Sequence, residues 1–122
     1  KAVGLVLPEL NGRLSGMSVR VPVPDGSLVD LVVETEKETP AEAVNAVLKA
    51  ASEGPMKHVL GYTADEIVSS DIVGSPESSI VDSLSTDVLE GNLIKILTWY
   101  DNEWGYSNRL CDLAALLGNL DD

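Results

Sequence analysis

The first half of the chain contains two segments in which apolar residues recur at every second position. In residues 18–23, valine occupies every odd-numbered position, as expected for one face of a strand. The even-numbered positions include a proline, which favours an edge strand or a strand end. Residues 24–27 have the turn composition Pro-Asp-Gly-Ser, and the alternation resumes over residues 28–36. The pattern therefore predicts a β-hairpin formed by 18–23 and 28–36.

A helix is predicted to begin at Thr39. Thr39 can cap the helix, Pro40 requires no amide donor at the first helical position, and Glu42 can complete a capping box. Gly54 and Pro55 end it. The apolar positions at helical spacing are Ala41, Val44, Val47, Leu48 and Ala51. This stripe predicts a helix that covers a sheet.

The second half of the chain predicts further strands and a final helix. Strands are predicted at 58–63, 67–73, 78–89 and 93–100. Glu90-Gly91-Asn92 is suited to a hairpin connection between the last two. The helical face after Asp101 consists of Tyr106, Leu110, Leu113, Ala114 and Leu117. Strands clustered with helices predict an α+β fold, and no change in composition marks a second domain.

Charge and composition exclude several classes of partner. Eight Lys and Arg against 20 Asp and Glu give a net charge of −12, which repels nucleic acid and anionic lipid. The apolar segment 1–7 is far shorter than the roughly 20 residues that span a bilayer. It also lacks an initiating methionine, so we expect the chain to be part of a longer protein. A single cysteine cannot form an intrachain disulfide, which favours the cytoplasm, although a secreted protein built without disulfides is an alternative.

Motifs of common catalytic sites are missing from the sequence. It has no glycine-rich phosphate loop, HExxH, CxxC or Gly-x-Ser-x-Gly. We interpret Cys111 as a buried or half-buried packing residue of the last helix, and His58 as an exposed or hydrogen-bonded structural histidine. Asp101 and Glu103 favour the dipole of that helix more readily than they form a metal or acid–base pair. No metal site is predicted.

Two features are candidates for ligand binding. Arg20 has a planar guanidinium that can donate two parallel hydrogen bonds to a phosphate, although a surface arginine on a polar strand face is an alternative. Residues 99–106 contain four of the five aromatic residues at a predicted strand-to-helix junction. The amide of Asn102 suits recognition of another amide. The alternative is that Asn102 caps the helix and the aromatics fill the core.

Residues 99–107, Trp-Tyr-Asp-Asn-Glu-Trp-Gly-Tyr-Ser, resemble the C-terminal signature of the phosphorylating glyceraldehyde-3-phosphate dehydrogenases. Residues 1–10, 19–24 and 29–33 resemble successive segments of the same family in the same order. The resemblance implies that 1–122 is the C-terminal part of the catalytic domain, without the NAD-binding Rossmann domain. It further implies a mixed, largely antiparallel sheet with helices packed on one face, in a homotetrameric enzyme of glycolysis.

The resemblance also implies roles for individual residues. Arg20 matches the arginine that binds the substrate phosphate, Asn102 matches the asparagine that hydrogen-bonds the nicotinamide carboxamide of NAD, and Tyr106 matches a tyrosine near the nicotinamide. The family's Ser-Cys-Thr-Thr-Asn motif, its catalytic histidine and its Thr-Gly phosphate-binding pair have no match, and neither Cys111 nor His58 aligns with the catalytic pair. The chain is therefore expected to contact glyceraldehyde 3-phosphate, inorganic phosphate and NAD but to be inactive alone.

Two further questions stay open at the level of sequence. NADP instead of NAD, and erythrose 4-phosphate instead of glyceraldehyde 3-phosphate, are compatible with the residues present. A hypothesis of another class is that the chain is a non-catalytic interaction or self-assembly module, in which apolar residues serve an interface.

Overall fold

A computed structural model describes residues 3–119 and shows four strands, three α-helices and two short 3-10 turns. The α-helices are α1 (Val3–Val6), α2 (Ala41–Glu53) and α3 (Trp104–Gly118). The strands are β1 (Ser27–Glu34), β2 (Leu60–Thr63), β3 (Ser79–Leu89) and β4 (Leu93–Tyr100). The 3-10 turns cover Pro8–Leu10 and Ser69–Ile72.

The four strands form one sheet in the order β1-β4-β3-β2. β4 pairs antiparallel with both β1 and β3, whereas β2 runs parallel to β3. The predicted β3–β4 hairpin is confirmed, and Glu90 and Gly91 at its turn both have positive φ, which glycine adopts without a steric penalty. The α+β fold with a mixed, largely antiparallel sheet is likewise confirmed.

The hairpin predicted for 18–23 and 28–36 is wrong. Residues 18–23 form no strand, and β1 pairs instead with β4, from Ser27 opposite Tyr100 to the far end of both strands. Pro22 in the earlier segment cannot donate a ladder hydrogen bond. β4 offers eight consecutive partner residues without a proline. The longer uninterrupted ladder therefore forms, although its partners are about 70 residues apart.

The strand predicted at 67–73 is also wrong, because Ser69–Ile72 form a 3-10 turn. The amide of Val68 donates to the carboxylate of Asp71 at 2.7 Å, and the amide of Asp71 donates to the carbonyl of Val68 at 3.0 Å. These local hydrogen bonds compete with strand pairing. The strand expected to open at position 58 begins two residues later, at Leu60.

The helix predicted after Thr39 is confirmed as α2, but its predicted capping box is wrong. The hydroxyl of Thr39 donates to the carbonyl of Lys37, and Pro40 occupies the N-cap position without a side-chain hydrogen bond. The amide of Thr39 donates to the carbonyl of Gly91 at 2.8 Å. The start of α2 is therefore positioned by the β3–β4 hairpin and not by a local cap.

α2 packs on β2 and β3. Its packing face carries both an apolar and a polar side chain. Val44 is buried, while Asn45 donates to the carbonyl of Ser83 at 3.0 Å and accepts a hydrogen bond from Thr86 at 2.7 Å. Val47, predicted to belong to the apolar stripe, is 69% exposed. The helix covers the sheet as predicted, but its apolar face is narrower than predicted. The polar part of its contact with β3 is made by Asn45.

The buried carboxylate of Asp101 connects α3 to the sheet. Its Oδ1 accepts hydrogen bonds from the amides of Trp104 at 2.7 Å and Glu103 at 2.9 Å, and its Oδ2 accepts one from Gly74 at 2.8 Å. The hydrogen bonds from Trp104 and Gly74 hold the pKa of Asp101 below its ordinary value, against the effect of burial. Asp101 therefore provides the helix cap for which Asn102 was the sequence-based candidate.

α3 contacts the rest of the chain through its first two turns. A Cβ at Gly105 would lie 2.8 Å from the carbonyl oxygen of Glu77, so only glycine permits this approach. One turn later, Arg109 donates to the carbonyl of His58 at 2.9 Å and to the hydroxyl of Ser78 at 3.3 Å. The start of α3 is thus fixed against the residues that precede β2 and β3.

The apolar face of α3 is exposed. Its exposed residues are Tyr106, Leu110, Leu113, Leu116 and Leu117. Cys111 is exposed as well, so its interpretation as a buried or half-buried packing residue is wrong for this chain. The sequence pattern identified the helix but could not show that nothing within residues 3–119 covers its face. No helix in the described part of the chain is long and apolar enough to cross a bilayer.

We predict that Asp101→Asn destabilises the protein at neutral pH and that this difference shrinks in acid. A carboxyl whose folded-state pKa is depressed contributes stability above its unfolded pKa, ordinarily 3.8, and loses it as the pH falls through the folded value. Urea unfolding of both proteins between pH 7 and pH 2 measures the gap. A gap that stays constant over this range would contradict the ionised role of Asp101.

Candidate functional site

Arg20 lies in the irregular segment that connects the first 3-10 turn to β1. Its side chain is exposed, and the backbone around it has no regular structure, which corrects the predicted strand. Within residues 3–119 the two ion pairs join Lys95 to Asp30 and Arg109 to Asp112. The guanidinium of Arg20 is therefore accessible to an anion, but the strand expected to orient it is not present.

The segment that carries Arg20 ends at Gly26, whose position is fixed by close packing. Gly26 has a φ of 90°, and a Cβ there would lie 3.0 Å from the side chain of Ile72 and 3.1 Å from the carbonyl oxygen of Ser69. The amide of Gly26 donates to the carboxylate of Asp25 at 2.7 Å. A side chain larger than hydrogen is thus excluded at Gly26, and the start of β1 is held against the second 3-10 turn.

Asn102 lies in the turn between β4 and α3, next to the start of β1. The hydroxyl of Ser27 donates to Oδ1 of Asn102 at 3.2 Å. Asn102 is exposed and does not cap α3, because the carboxylate of Asp101 accepts the amide hydrogen bonds of Glu103 and Trp104. The side-chain amide nitrogen of Asn102 therefore keeps two donors for a ligand.

The aromatic residues of the junction are divided between the sheet and the solvent. Trp99 is half-buried and donates from Nε1 to Asp82 at 3.3 Å. Trp104 is 53% exposed and Tyr106 is 66% exposed. The alternative in which these aromatics fill the core is therefore wrong for Trp104 and Tyr106. Both present their rings at the start of α3, close in sequence to Asn102.

The structure brings some of the predicted site residues together and leaves one apart. Asn102 lies in the turn between β4 and α3 and Tyr106 in the first turn of α3, and Ser27 makes a hydrogen bond to Asn102. Arg20 lies seven positions before Ser27, in the segment that leads into β1, and the hydrogen bonds of the described residues include none between Arg20 and Asn102. The phosphate-binding and nicotinamide-binding candidates are therefore 82 positions apart in the sequence, and no hydrogen bond joins them within residues 3–119.

Sequence reasoning missed two residues of this junction. The capping role of Asp101 had a signal, because aspartate is favoured in the residues that precede a helix. Ser27 had none, since its partner is 75 positions away and a serine at the start of a strand is unremarkable in a sequence. Pairing of β1 with β4 is the event that brings Ser27 to Asn102.

The described residues offer no alternative reaction centre. His58 is exposed in the turn before β2, as predicted, and Cys111 is exposed on α3. Residues 3–119 contain no cluster of three or more His, Cys, Asp or Glu that could hold a metal ion. A cavity of about 610 Å³ is lined in part by Glu38 and Asp87, whose charges disfavour an anionic substrate. The β4–α3 junction and Arg20 remain the candidate site.

Comparisons with known proteins identify the family of the chain. The sequence model described as glyceraldehyde 3-phosphate dehydrogenase, C-terminal domain, matches residues 1–102. Glyceraldehyde-3-phosphate dehydrogenase 2 of Streptomyces avermitilis is 58% identical over 98% of this chain and 36% of its own length. The Bacillus cereus and Borreliella burgdorferi relatives are 59% and 61% identical, each over 96% of this chain and 35% and 36% of their lengths.

These relatives are much longer than the sequence compared with them. The chain spans about a third of their length. Asn102 is the last residue matched by the family model, and the relatives extend the similarity over nearly the whole chain. On these matches, the chain belongs to the family of glyceraldehyde 3-phosphate dehydrogenase C-terminal domains.

Proposed function

We propose that this chain is the C-terminal part of the catalytic domain of a cytoplasmic, homotetrameric glyceraldehyde-3-phosphate dehydrogenase. The whole enzyme converts glyceraldehyde 3-phosphate, NAD and inorganic phosphate to 1,3-bisphosphoglycerate. The proposal rests on the exposed side-chain amide of Asn102, in a chain whose sequence is similar to glyceraldehyde-3-phosphate dehydrogenases. Asp101 caps α3, which leaves that amide available to a ligand.

Asn102 and Tyr106 would contact the nicotinamide end of NAD. An amide can donate to and accept from the nicotinamide carboxamide, and the exposed ring of Tyr106 lies one helical turn further along. Orientation of the nicotinamide decides which of its faces receives the hydride, so both residues act by position and not by proton transfer. The rest of the coenzyme would bind to a Rossmann domain in the part of the relatives that this chain does not span.

Arg20 would bind the phosphate of the substrate or inorganic phosphate. The chain carries a net charge of −12, so an anion requires a local cation. Arg109 is engaged by the carbonyl of His58 and by Asp112. Arg20 is exposed in its connecting segment, and its planar guanidinium suits bidentate contact with phosphate oxygens.

We predict that the purified 122-residue chain has no dehydrogenase activity and that the full-length enzyme containing it does. None of the residues assigned to the site is a nucleophile that can attack an aldehyde. NADH formation at 340 nm with glyceraldehyde 3-phosphate, NAD and phosphate measures both proteins. Turnover by the isolated chain would refute its inactivity, and the absence of turnover in the full-length enzyme would refute the proposed function.

We predict that Arg20→Leu in the full-length enzyme raises the KM for glyceraldehyde 3-phosphate or phosphate about tenfold or more, because a charge-assisted pair is lost. The KM for NAD should change little. Arg20→Lys should recover only part of the loss, since lysine lacks the planar fork. Arg13→Leu is the matched control, as it removes another exposed arginine of the same charge. Unchanged substrate and phosphate KM values in Arg20→Leu would remove Arg20 from the site.

A second candidate function is self-assembly of the isolated chain. The observation in its favour is the exposed apolar face of α3, where Leu110, Leu113 and Leu117 are each about half exposed. Contiguous apolar surface of this kind drives association in water. In the whole enzyme the same face would be available to other parts of the protein.

We predict that the isolated chain forms dimers or larger species, and that Leu113→Glu combined with Leu117→Glu shifts it towards monomer because a charge is costly in an apolar interface. Light scattering with size-exclusion chromatography measures the mass. Val47→Glu is the matched control, since Val47 is 69% exposed on α2, away from this face. A folded wild-type chain that stays monomeric at high concentration would contradict self-assembly.

A further inference from the structure

Ser27, the first residue of β1, makes a hydrogen bond to the side chain of Asn102, which lies just after β4. Its hydroxyl donates to Oδ1 of Asn102 at 3.2 Å, and the two residues are 75 positions apart. Asn102 is exposed, and this is the hydrogen bond that its side chain makes within residues 3–119. With Oδ1 on Ser27, the amide nitrogen faces away and remains available as a donor. The bond therefore limits the rotamers that Asn102 samples.

The backbone of Ser27 is fixed on both sides. On one side it opens the β1–β4 ladder opposite Tyr100. On the other, Gly26 is packed so closely against Ile72 and Ser69 that a Cβ would approach both to about 3 Å. The hydroxyl of Ser27 is consequently presented from a rigid position, which is what a positioning residue requires.

The backbone beside Asn102 is fixed as well. Asp101 accepts hydrogen bonds from Gly74, Glu103 and Trp104, so the residues on both sides of Asn102 are held. Between the fixed backbone of Ser27 and that beside Asn102, the remaining freedom is rotation about the side-chain bonds of Asn102. The hydrogen bond from Ser27 favours the orientation in which Oδ1 of Asn102 faces Ser27.

We propose that Ser27 is a positioning residue for hydride transfer, which acts by holding Asn102 against the nicotinamide carboxamide. The inference rests on the proposed contact between Asn102 and NAD. Ser27 itself touches neither substrate nor coenzyme. Its hydroxyl increases the fraction of bound NAD whose nicotinamide is oriented for reaction, because a geometric misplacement at a reacting centre lowers the rate of the chemical step.

The first experiment measures the full-length enzyme with Ser27→Ala. Loss of one hydrogen bond should lower kcat about three- to tenfold. The KM for glyceraldehyde 3-phosphate should stay unchanged, since Arg20 is untouched. The kinetic isotope effect with aldehyde-deuterated substrate should rise, because hydride transfer becomes more rate-limiting. Ser27→Thr keeps the hydroxyl and should restore kcat, a rescue that a general loss of stability would not show.

Ser52→Ala is the matched control. Its hydroxyl donates to the carbonyl of Lys49 at 2.8 Å on α2, so this variant removes a comparable hydrogen bond without affecting Asn102. We expect kcat and the isotope effect of Ser52→Ala to equal those of the wild type. A drop in Ser52→Ala as large as that in Ser27→Ala would show that the effect is unspecific and would overturn the proposal.

A double-mutant cycle with Asn102→Ala separates this inference from the proposed function. If Ser27 acts through Asn102, adding Ser27→Ala to Asn102→Ala lowers kcat no further. An undiminished effect of Ser27→Ala in that background, or no effect of Ser27→Ala in the wild type, would overturn the positioning role alone. An unchanged kcat in Asn102→Ala would overturn the contact with NAD, and the inference with it.

Discussion

The junction of sheet and final helix depends on the buried carboxylate of Asp101. A buried charge is stable only when hydrogen bonds replace the water it loses, and three backbone amides supply them here. They come from the turn at Gly74 and from the first turn of α3, while Asp101 itself follows the last residue of β4. Without that carboxylate, the three amides would lose their hydrogen-bond acceptor. One side chain thus fixes the direction in which α3 leaves the sheet.

The candidate site lies beside this rigid junction, but its residues do not hold the junction together. Asn102 and Tyr106 are exposed beside the Asp101 anchor, and the start of β1 brings Ser27 to the same edge. Arg20 differs, because it lies in an irregular segment whose end alone is fixed. Among residues 3–119 the buried apolar side chains are Val44, Ile72, Val81 and Ile94. So small a core suits a chain that spans about a third of its relatives' length.

Elements with local causes were predictable from the sequence. The hairpin of β3 and β4 follows from two alternating segments and a short glycine-containing turn, and α2 follows from its apolar spacing and from Gly54 at its end. The segments 18–23 and 67–73 were predicted wrongly, because alternation alone says nothing about available partners. Pro22 removed one backbone donor from segment 18–23, and the carboxylate of Asp71 stabilised a turn in segment 67–73.

By itself the sequence determined the family resemblance and the α+β fold, and it supplied the candidate residues for ligand binding, because these depend on residue type and order. Tertiary structure decided how those residues are held. It assigned the cap of α3 to Asp101 and left Asn102 exposed. It also placed Ser27 beside Asn102, since pairing of β1 with β4 brings together residues 75 positions apart. A contact of that kind depends on strand register, which local composition does not encode.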